Sequence, residues 1–325
     1  YMIPHVEDKY EMLHMLSDAI KGVYASVFYA DSKAYMTATS NVIDQEKMAV
    51  IIQEVVGELH QDYYFPSFSG VGRSLNYYPI NDEQPEDGVA EIAVGLGKYI
   101  VDGGLSLRFS PRHADKVLQT STLDLALRDT QTRFYALDMK KIDQDFNVDD
   151  GFNISKKKIQ DFASTGALKY MVSTFDYTDQ MLRDYEYGDG RRVVTFANVL
   201  QHKVFPLAPA IDFMLTNGQN EMCRPIEIEF AGIIDDASKN IKGRIYWLQI
   251  RPIIDRKDLV DDSVLEIADN DVLLKSNTAL GHGNIDNVNT IIYVRPENFS
   301  ASNNSLIARE LEKINRNYAT NNEYY

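Results

Sequence analysis

The chain is poor in the residues that mark several common protein classes. It has one cysteine, Cys223, in 325 residues, so an internal disulfide and a cysteine-based zinc site are both excluded. A long secreted chain usually carries more, which favours a reducing, cytoplasmic setting. Six histidines (His5, His14, His60, His113, His202 and His282) lie far apart, without the short spacings of metal-binding motifs. No apolar run reaches membrane-spanning length, and the first residues, Tyr1-Met2-Ile3-Pro4-His5, lack the basic-then-apolar order of a signal peptide. Positive charge is also scarce: 33 Lys and Arg stand against 48 Asp and Glu, a formal net charge of −15. Such a chain is repelled by phosphate backbones, which argues against nucleic acid as a partner but leaves room for one small anion in a local cationic or metal-bridged pocket.

What is present suits a folded protein. Hydrophobic residues make up 44% and charged residues 25%, enough for a packed core of about two domains. Helical spacing over residues 8–29 (Tyr10, Leu13, Leu16, Ile20, Val23, Tyr24) predicts an amphipathic helix. The β-branched run 47–56, KMAVIIQEVV, predicts a strand buried in a sheet. Strands are expected over 67–77, 88–94 and 191–199, and helix over 156–183 and 208–217. Residues 143–150 read as an acidic loop, 272–295 as short strands around His282, taken as a turn histidine, and 305–316 as a last helix.

The most regular stretch is a hairpin. PIEIEFA (225–231) and RIYWLQIRP (244–252) alternate in polarity on either side of a polar segment. With Lys239 at the turn centre, Glu229 faces Gln249 and Glu227 faces Arg251, all four on one side, with Ile226, Ile228, Leu248 and Ile250 on the other. Two carboxylates, an amide and a guanidinium on one face can hold Mg²⁺ through oxygen and meet a phosphate through the arginine. The same pattern also describes an ordinary half-exposed hairpin with a Glu–Arg cross-strand pair.

The order of motifs is more specific. Ala19-Ile20-Lys21-Gly22-Val23-Tyr24-Ala25-Ser26-Val27-Phe28, then Met48-Ala49-Val50-Ile51-Ile52-Gln53-Glu54-Val55-Val56, Ser69-Gly70-Val71 and Gly95-Leu96-Gly97 occur in turn. Ile228-Glu229-Phe230-Ala231 and Leu248-Gln249-Ile250-Arg251-Pro252 complete the set. Over roughly residues 19–252 the chain resembles the nucleotide-binding domain of phosphoenolpyruvate synthases and pyruvate phosphate dikinases.

The resemblance implies an α+β, ATP-grasp-like lobe with a mixed, largely antiparallel sheet flanked by helices, followed by a small C-terminal α/β segment. It implies ATP and Mg as cofactors, with Gln53 beside the adenine, Glu229 and Gln249 at the metal and triphosphate, and Arg251 as the catalytic, phosphate-contacting arginine. The implied activity is phosphorylation of a histidine on a separate domain of the same full-length protein, on the way to pyruvate. The implied division is a nucleotide-binding region at 1–255, with a poorly matching elaboration at 111–200, an acidic linker at 256–271, and the start of a following domain at 272–325. Ala279-Leu280-Gly281-His282-Gly283 is similar to the entry of that domain.

Some residues depart from the pattern. Arg73 and Ser74 stand where the family usually has Phe-Thr, and Lys98 stands where Glu usually follows Gly-Leu-Gly. These favour a second reading, a regulatory or assembly module that no longer turns ATP over. A third keeps the chemistry with another acceptor. The family's phosphate-binding lysine and arginine lie upstream of the first helix, so the reading expects a chain that begins inside a longer protein, binds nucleotide weakly by itself and hydrolyses none.

Overall fold

Alternation of apolar and polar side chains builds the sheets, and close packing of aromatics joins them. The structure, a computed structural model, describes residues 1–3, 6–29, 32, 48–141, 151–162, 165–185, 188–235, 242–253, 269–273, 290–295, 299–300 and 303–320. Twelve strands are found among them: β1 Glu58–His60, β2 Tyr63–Phe65, β3 Phe68–Arg73, β4 Val89–Ala93, β5 Leu107–Phe109, β6 Arg133–Asp138, β7 Ile154–Lys158, β8 Val172–Asp176, β9 Met181–Arg183, β10 Arg191–Val194, β11 Ile226–Asp235 and β12 Lys242–Pro252. They form a five-stranded sheet in the order β12-β11-β3-β4-β5, a four-stranded sheet β1-β2-β6-β7 and a three-stranded sheet β10-β8-β9. Every pairing is antiparallel. The chain is thus α+β, with antiparallel sheets flanked by helices.

The five-stranded sheet has one apolar and one polar face. Ile226, Ile228 and Phe230 of β11, Ala90 and Ile92 of β4, and Leu107 and Phe109 of β5 are all buried in the main core. Helix Leu207–Met222 covers that face with Leu207, Ile211, Met214, Leu215 and Gly218, the three-and-four spacing of an amphipathic helix. In β3 this face carries glycine. A Cβ on Gly70 would meet the Phe230 ring and come within 2.7 Å of the Glu91 carbonyl, so the strand leaves space for the aromatic side chain of its neighbour. The four-stranded sheet adds Phe65 and Phe134, whose rings meet each other and that of Phe162, in the turn after β7, edge-on or tilted at 4.8–5.6 Å. Gln131 ties the two sheets: its amide accepts from Val94 N–H at 2.8 Å and donates to Val94 O at 3.0 Å.

Several expectations are corrected. Residues 48–57 form no strand, and Lys47 lies outside the described residues. Ile51 and Ile52 are exposed. An apolar β-branched run is suited to a ladder but does not supply the partner strand, and here none of the described strands pairs with it. The stretch 156–183 is not helical: it holds β7, a short 3-10 turn Ile159–Phe162, β8 and β9. Cross-strand contacts override its helix-prone composition, among them Lys157 Nζ lying 3.8 Å from the Tyr63 ring centre. The strand expected over 191–199 stops at Val194 and gives way to a helical turn, Ala197–Leu200. The first, last and sheet-covering helices are present as Lys9–Ala25, Asn304–Thr320 and Leu207–Met222. The acidic loop 143–150, Lys239 and His282 lie outside the described residues, as does most of 272–295, whose described residues carry no strand.

Candidate functional site

The polar face of the five-stranded sheet gathers the residues named from the sequence. Ladder partners point to the same side, so two rows of side chains run across the strands. The first row is Gln249, Glu229, Val71, Glu91 and Arg108, and the second is Arg251, Glu227, Arg73 and Val89. Glu229 opposite Gln249 and Glu227 opposite Arg251 are as the hairpin alternation requires. Beyond Glu229 a β-bulge shifts the register: Phe230 pairs with Trp247 and Ala231 with Tyr246. Leu248 is therefore the extra residue. Trp247 takes the helix-facing place expected of Leu248 and, like Ile250, comes close to Gly218 of the covering helix.

In the first row, Glu229 is half-buried and Gln249 exposed. Among the described residues neither side chain has a hydrogen bond or ion pair. No group of three His, Cys, Asp or Glu residues converges as a metal site among the described residues. A carboxylate facing an amide oxygen still suits Mg²⁺, which takes one or two protein oxygens and fills its remaining positions with water and phosphate. At the far end of the row, Arg108 is committed to structure. Its Nη2 donates to Asn76 Oδ1 and to the Tyr78 carbonyl, both at 2.7 Å. Burial lowers its pKa, while Glu83 and Glu91 act to raise it.

The second row is an ion triad. Glu227 is buried and takes Arg73 Nε on Oε2 at 2.6 Å. Its Oε1 accepts from Arg251 Nε at 2.7 Å and also from Arg251 Nη2. Burial pushes the Glu227 carboxyl up, but the bonds from Arg251 and Arg73 outweigh it and hold the group below the usual glutamate value. Arg73 also lies 3.7 Å from Glu91, an ion pair beyond hydrogen-bond length, while Glu91 accepts from Ser106 Oγ at 2.7 Å. Sequence reasoning placed Glu227 opposite Arg251, as the ladder has it, but missed Arg73 as the third member of this cluster. The one signal for Arg73 was its place on the same strand face as Val71, three residues past the glycine that admits Phe230.

Gln53 reaches this region from outside the sheet. Its Nε2 donates to the carbonyl of the bulge residue Leu248 at 3.2 Å, and Tyr64 Oη donates to the Val55 carbonyl at 3.1 Å. Segment 48–57 thus touches β12 through Gln53 and β2 through Tyr64, and forms no ladder with the described residues. Gln53, Glu229, Gln249 and Arg251 all fall at the β11–β12 side of the sheet. The Gly-Leu-Gly turn closes the end of β4: Gly95 has φ 84°, its carbonyl accepts from Ser69 Oγ at 2.6 Å, and Leu96 N–H donates to Tyr135 O at 2.9 Å. A side chain at that φ would be strained, so glycine is required there. Lys98, just beyond, pairs with Asp102 at 3.1 Å.

Fold and face together define an α+β lobe with one open, oxygen-rich and arginine-bearing sheet surface, suited to an anionic ligand with a hard cation. The chain belongs to the family described as the pyruvate phosphate dikinase, AMP/ATP-binding domain, whose match covers residues 8–271. It is an ATP-binding module of the dikinase family, a family of ATP-dependent phosphotransferases. The match runs through 111–200, the stretch expected to be an elaboration. No curated protein matches the chain. No helix among the described residues is long and apolar enough to cross a membrane.

Proposed function

We propose that the chain binds Mg-ATP on the polar face beside β12 and serves as the nucleotide-binding part of a dikinase that phosphorylates a histidine on a separate domain, with pyruvate as the final acceptor. The observation that carries this reading is the pairing of Glu229 with Gln249 on the face turned away from the core. In it, Glu229 and Gln249 would hold Mg²⁺ through oxygen, Gln53 would border the adenine, and Arg251 would meet the phosphates. Magnesium, when bound, offsets phosphate charge and orients the terminal group for in-line transfer. The protein's own part is positioning: the β11–β12 ladder fixes the spacing of the two oxygen donors, and Glu227 holds the Arg251 fork. Segment 48–57 presents main-chain groups with no ladder bonds of their own, which leaves them free for a base edge.

Titration calorimetry with ATP, with and without Mg²⁺, tests the reading on the chain and on Glu229→Ala and Gln249→Ala. The expected result is binding that Mg²⁺ strengthens, with that Mg²⁺-dependent gain lost in both variants at unchanged melting temperature. A gain unaffected by both substitutions would sink the metal assignment. A second reading, a regulatory or assembly module, draws support from Glu227, which neutralises part of the arginine charge, and from Lys98, which is paired with Asp102 rather than acting as a carboxylate. The two differ in turnover: transfer of label from γ-labelled ATP to a histidine-bearing domain is expected only of the first.

A further inference from the structure

We propose that Arg73, a departure from the family pattern, is a second phosphate-binding residue, paired with Arg251 through the buried Glu227 to form a two-arginine clamp. This rests on the nucleotide reading above for the identity of the ligand, but its geometry stands separately. Arg73 and Arg251 flank Glu227 on adjacent strands, each a ladder partner of it, so both guanidiniums come to one carboxylate on one face. Glu227 engages Arg73 through Nε alone and Arg251 through Nε and Nη2. A guanidinium carries five N–H donors. The remaining Nη donors of Arg73 and Arg251 make no hydrogen bond to the described residues, and the two side chains are 38% and 59% exposed.

The arrangement has the properties of an anion clamp. A buried carboxylate shared by two arginines fixes both forks without satisfying them, and planar forks meet phosphate oxygens in pairs. Glu91, the other carboxylate near Arg73, lies beyond hydrogen-bond distance and already takes a bond from Ser106. Arg108 is spent on Asn76 and Tyr78 and is not available. The clamp row lies two residues along β11 from the Glu229–Gln249 row, roughly 7 Å, a separation that a polyphosphate chain bridges. The ligand class is therefore a polyphosphate whose one end meets the oxygen pair and whose other end meets the arginines.

The test uses the chain with Arg73→Ala and Arg73→Lys, titrated with Mg-ATP, inorganic tripolyphosphate and adenosine, with melting temperatures measured alongside. Arg73→Ala is expected to weaken Mg-ATP and tripolyphosphate binding about tenfold and to leave adenosine unchanged. Arg73→Lys, which keeps the charge but not the fork, is expected to fall between. Tripolyphosphate binding that depends on Arg73, with no binding of ATP, would uphold the clamp and overturn the nucleotide reading. Mg-ATP affinity equal in all three proteins would overturn the clamp and leave the nucleotide reading standing. No binding of either polyphosphate would overturn both. Should Arg73→Ala not fold, the lysine variant decides: unchanged tripolyphosphate affinity at unchanged melting overturns the clamp.

Discussion

Glu227 shows how one residue changes meaning when its neighbours are known. In the sequence it is the polar half of an alternating strand, indistinguishable from Glu229. In the fold it is the better buried of the two and the only one bound to two arginines. Its folded pKa lies below the ordinary value of 4.5, so the native state favours the charged form. Stability from this source is fully present above the unfolded value and is lost as pH falls through the lower folded value. Glu227→Gln should therefore flatten the acid side of the stability profile below about pH 4.5, read by urea denaturation at a series of pH values. Parallel profiles for the two proteins would mean that the triad does not couple to folding. At neutral pH the loss should be about 1–2 kcal/mol, between that of an exposed and a buried pair, since both arginines keep access to water.

At the scale of elements, the hairpin was legible because its two signals agree. Period-two alternation assigns faces, and equal distances from the turn assign partners; both hold for Glu227, Glu229, Gln249 and Arg251. The bulge was not legible, since an extra residue leaves composition unchanged, and it moves Trp247 rather than Leu248 to the helix side. Segment 48–57 and residues 156–183 failed for a different reason. Their local preferences were real, but ladder partners are set by distant strands, which one short window does not contain. The bulge also gives a probe of the site. Trp247 is the single tryptophan, it is 40% exposed, and its Nε1 donates to the Gln249 carbonyl at 3.1 Å. A ligand that engages Gln249 should change the polarity around the indole. Titration with Mg-ATP is expected to give a saturable change in intrinsic fluorescence that Gln249→Ala abolishes. A full-sized change in that variant would place the ligand elsewhere.

At the scale of the whole molecule, net charge opposes the ligand proposed for the site. The chain carries a formal −15, and metal-free ATP adds a tetra-anion, so long-range forces are repulsive, while in the proposed site Arg73 and Arg251 would attract at contact. In the proposed site magnesium would remove about half of the ligand's charge and, with Glu229 and Gln249 as oxygen donors, would add a local bond. The two effects separate by range. The Debye length falls from about 30 Å at 0.01 M salt to about 3 Å at 1 M, so added salt silences the distant carboxylates before it weakens groups in direct contact. Between about 0.02 M and 0.2 M salt, affinity for metal-free ATP should therefore rise or hold level, while affinity for Mg-ATP, less subject to repulsion, should fall modestly. The advantage conferred by Mg²⁺ should shrink over that range but not vanish, because the part owed to Glu229 and Gln249 is short-ranged. Calorimetric titrations at four or five salt concentrations, with and without Mg²⁺, read both slopes. A steep fall in metal-free ATP affinity with salt would mean that the nucleotide meets a predominantly positive field, which the two arginines and their shared glutamate do not by themselves supply.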